Sequence, residues 1–226
     1  AAVPPGKEDF LALSRYFELV LPREGVDIRL NTEASAETVQ AMHADVAVVA
    51  TGSVPALPPI PGMDMSGVCF AVDVLNGKAE PRGAVAVLGG GATGLETAHL
   101  LVERGHSVTV VDMRQEFGRD IVSHVGVREK LLHLLEEAGV TFMPDRRVKE
   151  ITSEGVEVDD RPLFGGGSVE LVRADTVVVA MGQRPVASLA DELEARGIQV
   201  VRIGDCSRPG NALAAIHEAS DAALSV

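Results

Sequence analysis

The 226-residue sequence is 46% hydrophobic and 23% charged, and its 33 Asp and Glu outweigh 20 Lys and Arg to give a net charge of −13. That composition fits one or two domains with packed cores and excludes a disordered chain. It supplies no basic patch for nucleic acid, and its longest apolar runs, such as Val46–Ala50 and Ala84–Leu88, fall far below the roughly 18–20 residues that span a bilayer.

Ala1-Ala2-Val3-Pro4-Pro5-Gly6 reads as a loop with no initiating Met, so the sequence is expected to be a processed or truncated piece of a longer protein. The same stretch lacks the apolar run of a signal peptide, and a cytoplasmic location is expected. Lys7 to Leu21 predicts an amphipathic helix with Phe10, Leu13, Phe17, Val20 and Leu21 on one face, ended by Pro22. Val26–Leu30 is a short strand candidate, and a helix around Ala36–Met42 leads into Asp45–Ala50, an apolar run typical of buried parallel strands. Thr51-Gly52 breaks that run, and Pro55, Pro58, Pro59, Pro61 and Gly62 form an extended connector.

A second linker spans Asn76–Gly83. Strand Ala84–Leu88, a glycine turn, helix Leu95–Glu103, the turn Arg104-Gly105 and strand Ser107–Val111 then make a complete βαβ unit. The charged run Glu116–Asp120 reads as solvated surface, and helix Arg128–Ala138 presents Leu131, Leu134, Leu135 and Ala138. Strand Thr141–Met143 precedes a β-rich stretch at Val148–Ile151, Val156–Val158 and Val169–Val172, with Gly165-Gly166-Gly167 as a turn. Strand Thr176–Ala180, helix Val186–Ala195, strand Ile198–Ile203 and a final helix from Asn211 complete the chain. The alternation predicts an α/β fold with a largely parallel sheet.

The strongest chemical signal is Gly89-Gly90-Gly91-Ala92-Thr93-Gly94, which fits G-x-G-x-x-G between a strand and a helix. In that pattern Gly89 permits the tight turn, Gly91 leaves the backbone bare for a pyrophosphate, and Gly94 lets helix and strand approach. The helix N-terminus adds free N–H groups and about half a positive charge for the phosphates. Asp112 ends the next strand 18 residues after Gly94, near the roughly 20 expected of an acid that binds the adenine ribose. Its carboxylate would repel a 2′-phosphate and favour NAD over NADP, whereas Arg114 would favour that phosphate. A glycine-rich turn beside a solvated Asp is the plainer reading of the same residues.

Gly204-Asp205 is the second candidate, because an acid at a strand's carboxyl end can bind sugar or ribityl hydroxyls. Alone, the pair also reads as a simple turn. The six histidines show no H-x-x-x-H spacing, so no metal site is expected, and Cys69 and Cys206 read as small apolar fillers. Two cysteines 137 positions apart make neither a CxxC pair nor the four ligands of an iron–sulfur cluster. No catalytic acid, base or nucleophile is assigned.

In these motifs the chain resembles flavoproteins with two dinucleotide-binding domains, the pyridine-nucleotide–disulfide reductase type. Ala50-Thr51-Gly52, GGGATGLETA at 89–98, Met181-Gly182-Gln183-Arg184-Pro185 and Gly204-Asp205 occur in that family's order. More closely, Ala2-Val-Pro-Pro-Gly-Lys-Glu, Ile203-Gly-Asp-Cys-Ser-Arg-Pro-Gly-Asn and Ala215-Ile-His-Glu-Ala look like the C-terminal region of the 2,4-dienoyl-CoA reductase and trimethylamine dehydrogenase family.

The resemblance implies a Rossmann-like, doubly wound NAD-type domain at 81–185, inserted into an interrupted FAD- or ADP-type domain at 1–80 and 193–226, with 186–192 as connector. The β-rich stretch would be a small addition, and the FAD-type domain would lack its first βαβ, which belongs before Ala1. It further implies that Gly89, Gly91, Ala92, Thr93, Gly94, Glu96, Asp112, Met113, Arg114 and Gly182 hold NAD, and that Ala50, Thr51, Gly52, Gly204 and Asp205 hold FAD or ADP. FMN, an iron–sulfur cluster and a TIM barrel would lie on an N-terminal region, since such a barrel alone takes about 250 residues. Two functions follow: an electron-input portion passing hydride from nicotinamide to FAD, or an ADP-binding support for a catalytic barrel.

Overall fold

The computed structural model describes residues 3–121, 125–160 and 167–226. Ala1, Ala2, His124 and the Gly165-Gly166 part of the expected turn lie outside the described residues. In chain order the first elements are α1 (Phe10–Val20), α2 (Ala36–Ala41), β1 (Val46–Val49), β2 (Ser53–Pro55), β3 (Val68–Phe70) and α3 (Ala71–Leu75). Next come β4 (Val85–Leu88), α4 (Ala92–Glu103), β5 (Val108–Val111), α5 (Val125–Glu137), β6 (Thr141–Met143), β7 (Arg147–Thr152), β8 (Gly155–Asp159) and β9 (Val169–Arg173). The chain closes with β10 (Thr176–Val179), β11 (Gln183–Pro185), α6 (Ser188–Ala195), β12 (Gln199–Arg202) and α7 (Ala212–Ser225). Two units emerge, one formed by the chain up to Val20 with Leu57–Met181, the other by Leu21–Ala56 with Gly182–Val226.

The first unit is built on a parallel sheet in the order β3-β10-β4-β5-β6. Every residue of β4 and β10 is buried, so both faces of the sheet need cover. Val85 and Val87 pack into a helical layer with Ala71 and Val74 of α3, Leu95, Ala98 and Leu101 of α4, and Leu135 of α5. Ala86 and Leu88, one residue out of phase, pack instead with Ile151, Val156, Val158 and Val172 of the antiparallel β7-β8-β9 sheet. Leu95, Leu101 and Leu135 are fully buried. Each contributes about 1.5–3 kcal/mol by leaving water. The β4–α4–β5 unit therefore sits on a rigid base, with its turn at the carboxyl end of the sheet.

In the second unit β1 pairs in parallel with β12, and β2 pairs antiparallel with β11. Ala36, Ala47, Val49, Ala190, Leu193 and Cys206 form its core. A capping box starts α2: Thr38 N donates to the Ser35 hydroxyl at 3.2 Å, and Ser35 N to the Thr38 hydroxyl at 2.9 Å.

The α/β fold and its parallel sheet match the expectation, but several details differ. Val26–Leu30 forms no ladder, and Val26, Ile28 and Leu30 are exposed, because alternation becomes a strand only where a neighbour takes its hydrogen bonds. The apolar face of α1 is likewise exposed at Phe10, Leu13 and Phe17, as are Leu213, Ile216 and Leu224 of α7. Residues 57–80, expected with the interrupted domain, join the glycine-turn unit because β3 pairs with β10 there. Among the described residues no helix is long and apolar enough to cross a membrane.

Candidate functional site

The glycine turn leaves β4 and enters α4 with no room for side chains. Gly89 has φ +108°, and a Cβ there would stand 2.4 Å from the Ala180 carbonyl oxygen. A Cβ on Gly94, one turn into α4, would lie 1.9 Å from the Gly89 carbonyl oxygen. These two contacts fix the turn against the neighbouring strand, which is the packing task the motif assigns to its outer glycines. Helix α4 begins at Ala92, three residues before the sequence expectation of Leu95, so Gly91, Ala92 and Thr93 form its very start.

Asp112 closes the site from the end of β5. Its Oδ2 accepts from Gly90 N at 2.6 Å and its Oδ1 from Arg114 N at 2.7 Å. The carboxylate is thereby aimed at the turn, where each oxygen keeps a further lone pair for a ribose hydroxyl. Met113 is half-exposed beyond it and Arg114 lies on the exposed loop. Glu96, also assigned to the nucleotide, is partly buried and ion-paired with Lys7. The structure brings Gly89, Gly91, Ala92, Thr93, Gly94 and Asp112 together. Gly182 belongs to the other unit, where its carbonyl accepts from Ala56 N at 3.0 Å.

The loop that follows corrects the reading of Glu116–Asp120 as solvated surface in part: Glu116, Arg119 and Asp120 are exposed, but Phe117 and Gly118 are buried. Phe117 is 8% exposed and packs against the Phe142 ring, centroids 4.9 Å apart. Its ring also crowds Gly90, where a Cβ would come within 2.2 Å of it. Gly118 N donates to Gly90 O at 2.7 Å, and Arg128 Nε to Phe117 O at 2.7 Å. Beyond that pin, Asp120 accepts from Ala92 N, at 2.9 Å to Oδ1 and 3.0 Å to Oδ2. A charged pentapeptide with one Phe gives no sequence signal for this, because the contact depends on the loop folding back over the turn. An anion thus already sits on the helix N-terminus, so the backbone donors there fit a phosphate.

The second unit gathers the other predicted residues at one end of its parallel pair. Ala50, Thr51 and Gly52 leave β1, while Gly204 and Asp205 follow β12, and Ile203 N donates to Val49 O at 3.1 Å. The Ser53 hydroxyl donates to Asp205 Oδ2 at 2.9 Å and also bonds the Gln183 side chain. Asp205 Oδ1 accepts from Gly210 N at 2.9 Å, and Glu218 Oε2 accepts from Gly204 N at 2.6 Å. The Thr51 hydroxyl donates to the Val186 carbonyl at 2.5 Å. Ser53 escaped the sequence reading, and Gln183 and Glu218 entered it only as motif residues without a role, since each acts across a gap that no local pattern spans.

The cysteines stand apart from both clusters. Burial, and secondarily the nearby Asp73 charge, push the Cys69 thiol up to about 11, and Cys206 is 1% exposed. With its pKa raised in this way, Cys69 presents no thiolate at neutral pH.

A nucleotide-shaped glycine turn on a parallel sheet, with an acid at the end of the next strand, defines a dinucleotide-binding fold. The chain belongs to the pyridine nucleotide-disulphide oxidoreductase family, whose model matches residues 12–208. Family membership brings flavin and nicotinamide nucleotides as cofactors. The chain is 37% identical over 207 residues to the bilirubin reductase of Mediterraneibacter gnavus (strain CC55_001C), covering 92% of this chain and 31% of that protein. It is 35% identical over 223 residues to the NADH oxidase of Thermoanaerobacter brockii, covering 96% of this chain and 33% of that one. The solved complex of 2-naphthoyl-CoA reductase with 2-naphthoyl-CoA superposes with a TM-score of 0.87 at 30% identity, over 96% of this chain and 32% of that chain. The chain therefore spans about a third of the length of these relatives.

Proposed function

We propose that the chain is the electron-input portion of an NADH-dependent flavin oxidoreductase of the 2,4-dienoyl-CoA reductase and trimethylamine dehydrogenase type. The first unit would hold the nicotinamide nucleotide through Gly89, Gly91, Ala92, Thr93, Gly94, Asp112, Met113 and Arg114. Glu96 would support the α4 start through its pairing with Lys7. The second unit would hold the flavin nucleotide through Ala50, Thr51, Gly52, Gly204 and Asp205. One observation carries the reading most: the Asp112 carboxylate is tied to the glycine turn at 2.6 Å, so the ribose acceptor and the phosphate cradle form one preorganised piece. Bound nicotinamide supplies a hydride and the flavin accepts it, while the protein contributes binding and orientation.

The residues' tasks follow from their chemistry. Asp112 accepts from the vicinal ribose hydroxyls and repels a 2′-phosphate, which favours NADH over NADPH. Gly91 leaves the backbone bare, and the α4 N-terminus meets the pyrophosphate. Asp205 is held by Ser53 and Gly210 at the carboxyl end of β12, where a ribityl or ribose hydroxyl can donate to it. An N-terminal TIM barrel with FMN and an iron–sulfur cluster would take the electrons onward. The test uses the full-length protein: NADH should bleach a bound flavin anaerobically. A flavin-free protein that releases ADP on heating would overturn the electron-input role in favour of a supporting one.

A further inference from the structure

Asp120 occupies the place that the proposed function gives to the nucleotide's phosphates. Both of its carboxylate oxygens lie within 3.0 Å of Ala92 N, at the first turn of α4. A Cβ on Gly91 would meet Asp120 Oδ2 at 3.0 Å, so the carboxylate fills the bare backbone face that the motif keeps open. A pyrophosphate and this carboxylate cannot share that donor, and two anions in contact repel one another. The segment carrying Asp120 is anchored just before it, by Gly118 N on Gly90 O at 2.7 Å and by the buried Phe117 ring. Asp120 itself is exposed between Gly118 and Ile121, whose N–H donates to Gly118 O at 3.0 Å, so its side chain can turn off Ala92 N with that backbone in place.

We propose that Asp120 is an internal competitor for the nucleotide, a carboxylate latch on the α4 N-terminus that leaves when the pyrophosphate enters. The proposal rests on reading this turn as the nicotinamide-nucleotide site. It makes Asp120 a regulator of affinity rather than a ligand-binding group. The latch satisfies the helix end when no nucleotide is present and sets a threshold concentration for filling it.

Charge is the operative feature, so Asp120→Asn is the informative variant. Asparagine still caps a helix about as well as aspartate but does not repel phosphate. An anion at a helix N-terminus is worth a few-fold to some thirty-fold in an equilibrium, so Asp120→Asn should tighten NADH by about 3- to 20-fold. Titration of the 226-residue chain by calorimetry would compare wild type, Asp120→Asn and the loop control Glu116→Gln, using NADH and adenosine as probes. The latch predicts tighter NADH for Asp120→Asn alone, unchanged adenosine, and a gain that shrinks in high salt. Equal or weaker NADH binding by Asp120→Asn, with normal wild-type binding, would overturn the latch and leave the site intact. No NADH binding by any of the three chains would overturn the site reading and the latch together.

Discussion

Asp112 and Gly90 lie 22 residues apart in sequence and meet at 2.6 Å, carboxylate to backbone N–H. This bond joins the end of the second strand of the βαβ unit to the turn after the first. A second bond, from Arg114 N to Asp112 Oδ1 at 2.7 Å, stops the carboxylate from rotating away. The Asp112 carboxylate is therefore already held at the turn, and little ordering of that side chain remains to oppose binding.

Removing that carboxylate should weaken NADH far more than NADPH. Because hydrogen bonds to charged groups contribute about 1.5–3 kcal/mol, Asp112→Ala should raise the NADH dissociation constant roughly tenfold or more. NADPH loses less, since its 2′-phosphate is no longer repelled, and the preference narrows. Titration calorimetry with both nucleotides checks this. Unchanged constants for both would remove Asp112 from the site.

The glycines make a paired stability prediction. Gly94→Ala would drive a Cβ to within 1.9 Å of the Gly89 carbonyl oxygen, and overpacking of this kind costs about 1–3 kcal/mol. Gly126→Ala in α5 meets nothing within 4 Å, so it should instead gain about 0.5–1 kcal/mol from helix propensity. Urea unfolding at fixed m-value reads both. Equal midpoints for the two variants would contradict the packing described for the turn.

How much of this was legible in the sequence depends on the range of each interaction. Gly89 through Gly94 and Asp112 were readable because one βαβ unit contains them all. Strand β3 was not, since Val68–Phe70 is three residues long and owes its pairing to β10, more than a hundred positions on. The bond between Ser53 and Asp205 closes a gap of 152 residues and left no local trace. Val26–Leu30 failed in the other direction: its alternation was real, but alternation does not supply a partner strand. Asp120 is surface charge as the sequence suggests, but its contact with Ala92 N was not legible, because only the anchor at Phe117 and Gly118 turns it onto α4.

Cys69 makes a prediction about pH. Its thiol pKa is raised from 9.0 to about 11, chiefly by burial and then by Asp73, so folding favours the neutral thiol. The associated stability is fully present below pH 9.0 and is lost as pH rises towards 11. At pH 8 the folded chain should hold about 100-fold less Cys69 thiolate than an unfolded one, and alkylate correspondingly slowly. Residue-resolved mass spectrometry after iodoacetamide pulses would read the rate. Labelling at the unfolded-chain rate would contradict the buried environment.

The most direct measurement is the thermal unfolding of the 226-residue chain with NADH, NADPH, FAD or ADP, each at saturating concentration. A ligand at about 100 times its dissociation constant adds about 2.7 kcal/mol, which moves the midpoint by several degrees in a chain of this size. The glycine turn and Asp112 predict a clear upward shift with NADH and a smaller one with NADPH. A midpoint that NADH leaves unmoved would contradict the assignment of the first unit as a nicotinamide-nucleotide domain.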